Sequence, residues 1–289
     1  MTKFALGTVQ FGMQYGIANK TGQVDFNKAK DILNLAKKIG INTLDTAISY
    51  GDSEKNLGKI GINNFKVITK LPILPKENND IKKWIFDQTK NSLDRLKLKK
   101  IYCLLLHRPI QQNKKYVKLL RDGLEMLKKL KIVEKIGVSI YSTNELKIIN
   151  QLYEVDLIQA PFNLIDRRLY ATGWLDKLKS MGVEVHVRSI FLQGLLLMKK
   201  NNIPTQFSKW LPLWNKWHDW QEQNSISATQ ACISFINRFP QIDKIVVGVE
   251  SRKQLKQIFE MSKKNCDYNF PDLSCNDENL INPSKWETL

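Results

Sequence analysis

Eight short apolar runs, each followed by an amphipathic stretch, set the pattern of this chain. The runs are Phe4–Leu6, Asn42–Leu44, Val67–Thr69, Ile101–Leu106, Lys135–Val138, Leu157–Ala160, Glu184–Val187 and Lys244–Val247. They are continuous and often β-branched, which predicts strands buried on both faces. Between them the period changes. Ala29, Ile32, Leu33 and Ala36 recur at i, i+3, i+4 and i+7, and Gly40 stops that helix. Lys82–Leu96 and Tyr116–Leu130 continue the alternation. Ser142-Thr143-Asn144-Glu145 and Ser227-Ala228-Thr229-Gln230 have capping-box spacing, and Ser251-Arg252-Lys253-Gln254 opens the helix after the last run. Eight strand–helix units predict an α/β fold, a (β/α)8 TIM barrel, in preference to an open sheet. The expectation is a single domain over 1–289 with long βα loops. A polar tail at 265–289 is expected to cross the surface or fold over the barrel mouth.

One segment breaks the rhythm. No strand pattern falls between Leu195 and Ser225, where Trp210, Trp214, Trp217 and Trp220 repeat at helical spacing. Two readings stand: a helix packed on the barrel wall, or an aromatic edge to a substrate cleft. The first run is not followed by G-x-G-x-x-G, which argues against a Rossmann site.

Composition narrows the class. No run approaches the ~20 apolar residues of a membrane span. Residues Met1–Gly7 lack a signal-peptide core and enter a strand at once, so a cytoplasmic protein is expected. Cys103, Cys232, Cys266 and Cys275 form no CxxC pair and read as reduced structural thiols. The formal net charge is +17, but only eight of the 45 basic residues are Arg, and they are spread over most helices. That distribution argues against a nucleic-acid partner and for solvated lysine faces. The positive field favours anionic small molecules, dinucleotides included.

Asp45, Tyr50, Lys70 and His107 each lie at or just beyond the end of an apolar run. In a parallel barrel those ends meet at one mouth, where active sites sit. Together they form a proton-transfer set. His186, within a run, reads as a packed core residue, and His218, among tryptophans, as a surface one. The histidines are too separated to imply a metal.

The order and spacing of several short motifs resemble the aldo/keto reductase family, from about Leu6 to Glu260. They include Leu6-Gly7-Thr8, Asp45-Thr46-Ala47 with Tyr50-Gly51, Ser53-Glu54, Thr69-Lys70 and Leu105-Leu106-His107. Gly137-Val138-Ser139, Gln159-Ala160-Pro161-Phe162-Asn163, Arg188-Ser189, Gln193-Gly194-Leu195-Leu196 and Val247-Gly248-Val249 continue the match. The resemblance implies a barrel that reduces a small-molecule aldehyde or ketone with a nicotinamide cofactor. Tyr50 would be the general acid, with Lys70 lowering its pKa, Asp45 as the counter-ion of Lys70, and neutral His107 orienting the carbonyl.

The resemblance also assigns cofactor positions. Ser139 and Gln159 would hold the nicotinamide carboxamide, and Arg188 stands where many members stack an aromatic ring. Gly194, Gly248 and the helix start at Ser251 would meet the phosphates and adenosine. Ser251, Arg252 and Lys253 favour NADP, with NAD as the other possibility. Two departures stand out: Ile140 follows Ser139 where Asn is usual, and Gln257-Ile258 replaces the Glu-Asn that grips adenine. Asn282-Pro283-Ser284-Lys285-Trp286 is similar to a subgroup associated with sugar-modifying enzymes, so a sugar or activated-sugar carbonyl is expected. The alternatives are a non-catalytic NADPH-binding regulatory barrel and a lyase using Lys70 as a Schiff base. Oligomeric state is left open.

Overall fold

The structure, a computed structural model, describes residues 3–75, 80–109, 117–152, 154–264 and 267–288. Tyr116 and Cys266 lie outside the described residues. The strands are β1 (Phe4–Gly7), β2 (Thr43–Asp45), β3 (Lys66–Leu71), β4 (Ile101–His107), β5 (Val133–Ser139), β6 (Leu157–Pro161), β7 (Glu184–Arg188) and β8 (Lys244–Gly248). They close into a barrel in chain order, and each is parallel to its neighbours.

Every predicted run forms a strand. All eight extend past the apolar run at their C-terminal ends, and apart from Leu71 and Pro161 the added residues are glycine or polar. Gly7 pairs with both Asp45 and Gly248, His107 with Ser139, and Ser139 with Gln159. The ladder therefore continues one step beyond the hydrophobic core and carries site residues with it. Their backbone positions are fixed by strand pairing, which holds side chains more firmly than a loop does.

The outer layer follows the predicted periods. It begins with α1 (Phe26–Lys38), α2 (Ser53–Ile60), α3 (Ile81–Leu96), α4 (Val117–Lys129) and α5 (Asn144–Leu152). It continues with α6 (Arg168–Ala171), α7 (Trp174–Ser180), α8 (Leu211–Gln223), α9 (Ala228–Asn237) and α10 (Arg252–Ser262), and α11 (Glu278–Ile281) lies in the tail. Ser227 and Ser251 cap α9 and α10 as their spacing predicts, accepting from Gln230 N and Gln254 N. At α5 the carboxylate end of the capping box is used, with Glu145 Oε1 accepting from Tyr141 N and Ser142 N.

The break in the rhythm is an insertion between β7 and α9, made of 3-10 turns and α8. Trp214, Trp217 and Trp220 are buried on one face of α8, and their indole N–H groups donate to Phe207 O, Leu196 O and Asn269 O. None lines the cavity described below. The rings pack against protein, but their partners are the rest of the insertion and the tail: three large rings, each worth roughly 4–6 kcal/mol of buried area, hold α8 to those segments, with Trp220 against Tyr268 and Phe270. Trp210 precedes α8 and is half-buried.

The tail packs on loops at the C-terminal end of the barrel. Cys275 N donates to Ile165 O, and Arg168 reaches both Glu278 and Tyr141 O. Among the described residues, none of the tail lines the cavity. Cys103 and Cys232 are buried free thiols, pushed up in pKa by burial and so unreactive. No helix among the described residues is long and apolar enough to cross a membrane.

Candidate active site

The turn after β2 carries Tyr50 and is tied down from three sides. Ser53 Oγ donates to Thr8 O at 2.8 Å and lies 3.1 Å from Thr46 Oγ1, which joins the start of α2 to the loop after β1. Glu54 is buried, and Thr69, Ser92 and Arg95 all donate to it, so α2 is pinned to β3 and α3. Gly12 and Gly51 allow the third contact. A Cβ on Gly12 would stand 1.8 Å from Tyr50 O, and one on Gly51, whose φ is +51°, would stand 2.4 Å from Gly12 O. Only residues without side chains permit that approach.

Beneath this turn lies a chain of buried polar groups. Lys70 Nζ is 2.7 Å from Asp45 Oδ2 and donates to Thr46 O at 2.8 Å. Gln159 Nε2 donates to Asp45 Oδ1 at 2.6 Å, and Ser139 Oγ to Gln159 Oε1 at 3.2 Å. Lys70 is only 1% exposed. Burial lowers the pKa of its ammonium, and the Asp45 carboxylate opposes that shift. An ammonium in such a place requires a partner, and Asp45 is it.

Tyr50 stands above the chain, half-buried and facing the cavity. Its ring meets the His107 ring edge-on at 6.2 Å, and Lys70 Nζ lies 5.0 Å from the ring centroid. The electrostatics differ from the sequence expectation. Burial raises the phenol's pKa well above its ordinary value, the Asp45 charge raises it further, and Arg188 is the cation that opposes them. Two of the three Lys70 donors are directed at Asp45 and Thr46 O, which sets its charge against the carboxylate under the phenol. His107 is lowered to about 3 by burial first, then by the charges of Lys70, Arg188 and Arg108. It is therefore neutral at pH 7, with one donor and one acceptor nitrogen.

A cavity opens from Tyr50 and Asp45 toward β1, β7 and β8. Gly7, Gln10, Asn19, Arg188, Gly194, Gly248, Glu250 and Gln254 contribute to its wall. The loops after β1, β7 and β8 all contribute to it. Gln10 Oε1 is buried and has no hydrogen-bond partner among the described residues. At Gly248 a Cβ would stand 2.7 Å from the Gln10 amide, and at Gly194, φ +92°, one would stand 2.5 Å from Ala18 Cβ. The two glycines thus let Gln10 and Ala18 of the β1 loop pack against the backbone after β8 and β7, and the wall presents an unused acceptor.

Of the twelve residues expected in the site, the structure brings Asp45, Tyr50, Arg188, Gly194 and Gly248 to the cavity and sets Lys70 and His107 against Tyr50. Ser139 and Gln159 lie wholly buried below the floor, bonded into the Asp45 chain. Arg188 lines the cavity, but it also donates to Ile140 O and lies 4.5 Å from the Tyr141 ring centroid. Ser251, Arg252 and Gln257 do not reach the wall. The Ser251 hydroxyl is used as the cap of α10, and Arg252 and Gln257 are exposed. Gln10, Tyr15, Asn19, Gln193, Glu250 and Gln254 line the cavity without having been marked by sequence. The one available signal was position: each lies on the loop after β1, β7 or β8, or on the first turn of α10.

A barrel with this buried Lys–Asp pair beneath a mouth tyrosine and a neutral histidine belongs to a recognisable class of oxidoreductase. A model of the Aldo/keto reductase family matches residues 3–270, so the chain belongs to that family. The chain is 25% identical over 279 residues to YqkF, an uncharacterised oxidoreductase of Bacillus subtilis, covering 89% of this chain and 90% of that one. Among solved structures it resembles the holo form of the aldo-keto reductase AKR11C1 from Bacillus halodurans. The TM-score is 0.71 with 19% identity, over 92% of this chain and 94% of that one. It also resembles the glycerol dehydrogenase AKR11B4 from Gluconobacter oxydans, with TM-score 0.69 and 21% identity over 94% and 88% of the two chains.

Proposed function

We propose that this protein reduces the carbonyl group of a small aldehyde or ketone, with Tyr50 delivering the proton to oxygen. The observation that carries this reading is the position of Tyr50 on the cavity surface, above a buried Lys70–Asp45 pair and beside neutral His107. The implied cofactor is a nicotinamide dinucleotide, and the cavity wall fits one. It offers the backbone of Gly248 and Gly194 and the unpaired Gln10 acceptor. When bound, that cofactor supplies the hydride. The protein's own part is to hold the carbonyl oxygen near Tyr50 and His107 and to manage its charge.

A raised phenol pKa suits this role. The oxygen of a carbonyl receiving hydride becomes an alkoxide, far more basic than a phenolate, so Tyr50 can still donate to it. The raised pKa also keeps the acid protonated across the physiological range. Asp45 and Lys70 cancel one another beneath it, so the site bears no uncompensated buried charge until reaction begins. His107, held neutral, orients the carbonyl without competing as an acid.

The idea that the carbonyl belongs to a sugar is supported only by the likeness of residues 282–286 to sugar-modifying enzymes. Trp286 is buried beside Phe207 and donates to Leu280 O, so that segment supports the fold. The test of the central reading is Tyr50→Phe. Turnover on a carbonyl panel should fall at least about a hundredfold, while dinucleotide binding, measured by quenching of protein fluorescence, stays nearly unchanged. Activity within threefold of the parent removes Tyr50 from the acid role.

A further inference from the structure

We propose that Glu250 makes the dinucleotide site select the free 2′-hydroxyl of NAD(H) over the 2′-phosphate of NADP(H). This rests on the reading of the cavity as the cofactor site. The family motif at the start of the last helix pointed the other way, through Ser251, Arg252 and Lys253. In the folded chain those three are spent or turned away. The Ser251 hydroxyl accepts from Gln254 N at 3.2 Å, and Arg252 and Lys253 are exposed and absent from the cavity wall. The residue that does line the wall at this point is the carboxylate just before them, Glu250.

Glu250 is half-buried and held in place. Its backbone N donates to Gln254 Oε1 at 2.8 Å, and Thr21 Oγ1 donates to its Oε2 at 3.1 Å. Thr21 is positioned by Asn19, whose Oδ1 accepts from Thr21 N and Gly22 N at 2.9 Å each. The carboxylate thus sits between the end of β8 and the β1 loop, and no described residue donates to its Oε1. Hydride transfer requires the nicotinamide ring beside Tyr50. The stretch of wall formed by Gly248, Gly194 and Gln10 then lies in the middle, where the phosphates would fall. The lobe bounded by Asn19, Glu250 and Gln254 is left for the adenosine end.

A carboxylate there has opposite effects on the two dinucleotides. It accepts a hydrogen bond from a ribose hydroxyl, as acidic residues do in other dinucleotide sites. It repels a phosphate carrying about two negative charges. Arg188 is the one cationic side chain on the wall among the described residues, and it belongs to the Tyr50 end. Nothing described on the wall of the adenosine lobe would neutralise a 2′-phosphate.

The test is binding, read by fluorescence quenching or calorimetry with NADH and NADPH on the full chain at two salt concentrations. The parent should bind NADH about ten- to hundredfold more tightly, the equivalent of one charge-assisted hydrogen bond. Glu250→Gln, which keeps the shape and removes the charge, should narrow that ratio at least about tenfold, chiefly by improving NADPH. High salt should narrow it in the parent and much less in the variant, because screening acts on the charge. Glu250→Asp should keep the preference for NADH, which guards against a nonspecific effect of substitution. Arg252→Ala should leave both affinities unchanged. A parent that prefers NADPH, or a ratio unmoved by Glu250→Gln, overturns this assignment and leaves the cofactor reading standing. Failure to bind either dinucleotide overturns both.

Discussion

The two arcs of the barrel mouth are built on opposite principles. On the β2–β4 arc, Asp45, Lys70, Ser53 and Glu54 are buried and fully engaged, and Tyr50 is clamped between two glycines. On the β1, β7 and β8 arc, Gln10 Oε1 lacks a partner, and the β7 loop holds Ser189, Leu192 and Gln193 at positive φ, between 48° and 60°. Non-glycine residues adopt that conformation at a cost and persist in it only when their surroundings demand it. The first arc is finished before any ligand arrives, as groups that stabilise a transition state should be. The second is left with unspent polar capacity and three left-handed residues, against the one, Arg108 at φ 72°, that follows His107 on the first, as expected of a surface completed by its ligand. Chemistry is preorganised and recognition is not.

Breaking the finished arc should cost most. Asp45→Asn leaves the Lys70 ammonium without its counter-ion in a buried site, and urea denaturation should show a loss of about 3–5 kcal/mol. Its converse, Lys70→Met, strands the carboxylate directly under Tyr50. Because Asp45 already raises the phenol's pKa, removing its neutralising partner should raise it further. Tyr50 acts in its protonated form, so the alkaline limb of the pH–rate profile should move upward while the maximal rate drops. A parental profile in Lys70→Met would separate the lysine from the acid. Gln159→Leu removes one donor from Asp45 and should cost less, about 1–3 kcal/mol by the same denaturation.

At neutral pH the smallest expected effect is that of His107, whose contribution shows only in acid. His107 titrates near 3 when folded, against an ordinary value of 6.5. Between those values the unfolded chain binds a proton that the folded chain refuses, so stability falls as pH drops through 6.5 toward 3. His107→Gln should flatten that part of a plot of melting temperature against pH. An unchanged slope would mean that the folded chain does not depress the titration of His107, and that burial is not what holds it neutral.

The arcs also differ in how far sequence revealed them. Asp45, Lys70 and His107 end apolar runs, and strand periodicity alone placed them at the mouth. Ser139 and Gln159 were marked by the family resemblance instead, and the structure adds what it could not show, their bonds to each other and to Asp45. The opposite arc is made of loops. Whether Glu250 or Arg252 faces the cavity depends on where α10 starts, and that is decided by Ser251 Oγ bonding to Gln254 N. The cap was legible, but its consequence for its neighbours was not. Gln10 and Gln193 left no periodic trace for a related reason, the first lying in a 3-10 turn and the second in left-handed backbone, and Gln193 was visible only as part of a family motif. Of the tryptophans, three of the four were legible as one helical face, but spacing cannot say whether a face meets protein or ligand.

The closed base of the β1 loop has a consequence for protein engineering. Val24 N donates to Gln10 O at 2.8 Å, and Asp52 N to Gly12 O at 3.4 Å. The segment 13–23 is therefore a cassette whose two ends are already joined, one of them bolted to the Tyr50 turn through Gly12. Lengthening such a segment adds only about 0.6 kcal/mol of closure entropy per doubling. Exchanging it for the corresponding loop of a relative should change what enters the cavity and leave the geometry beneath Tyr50 as it was.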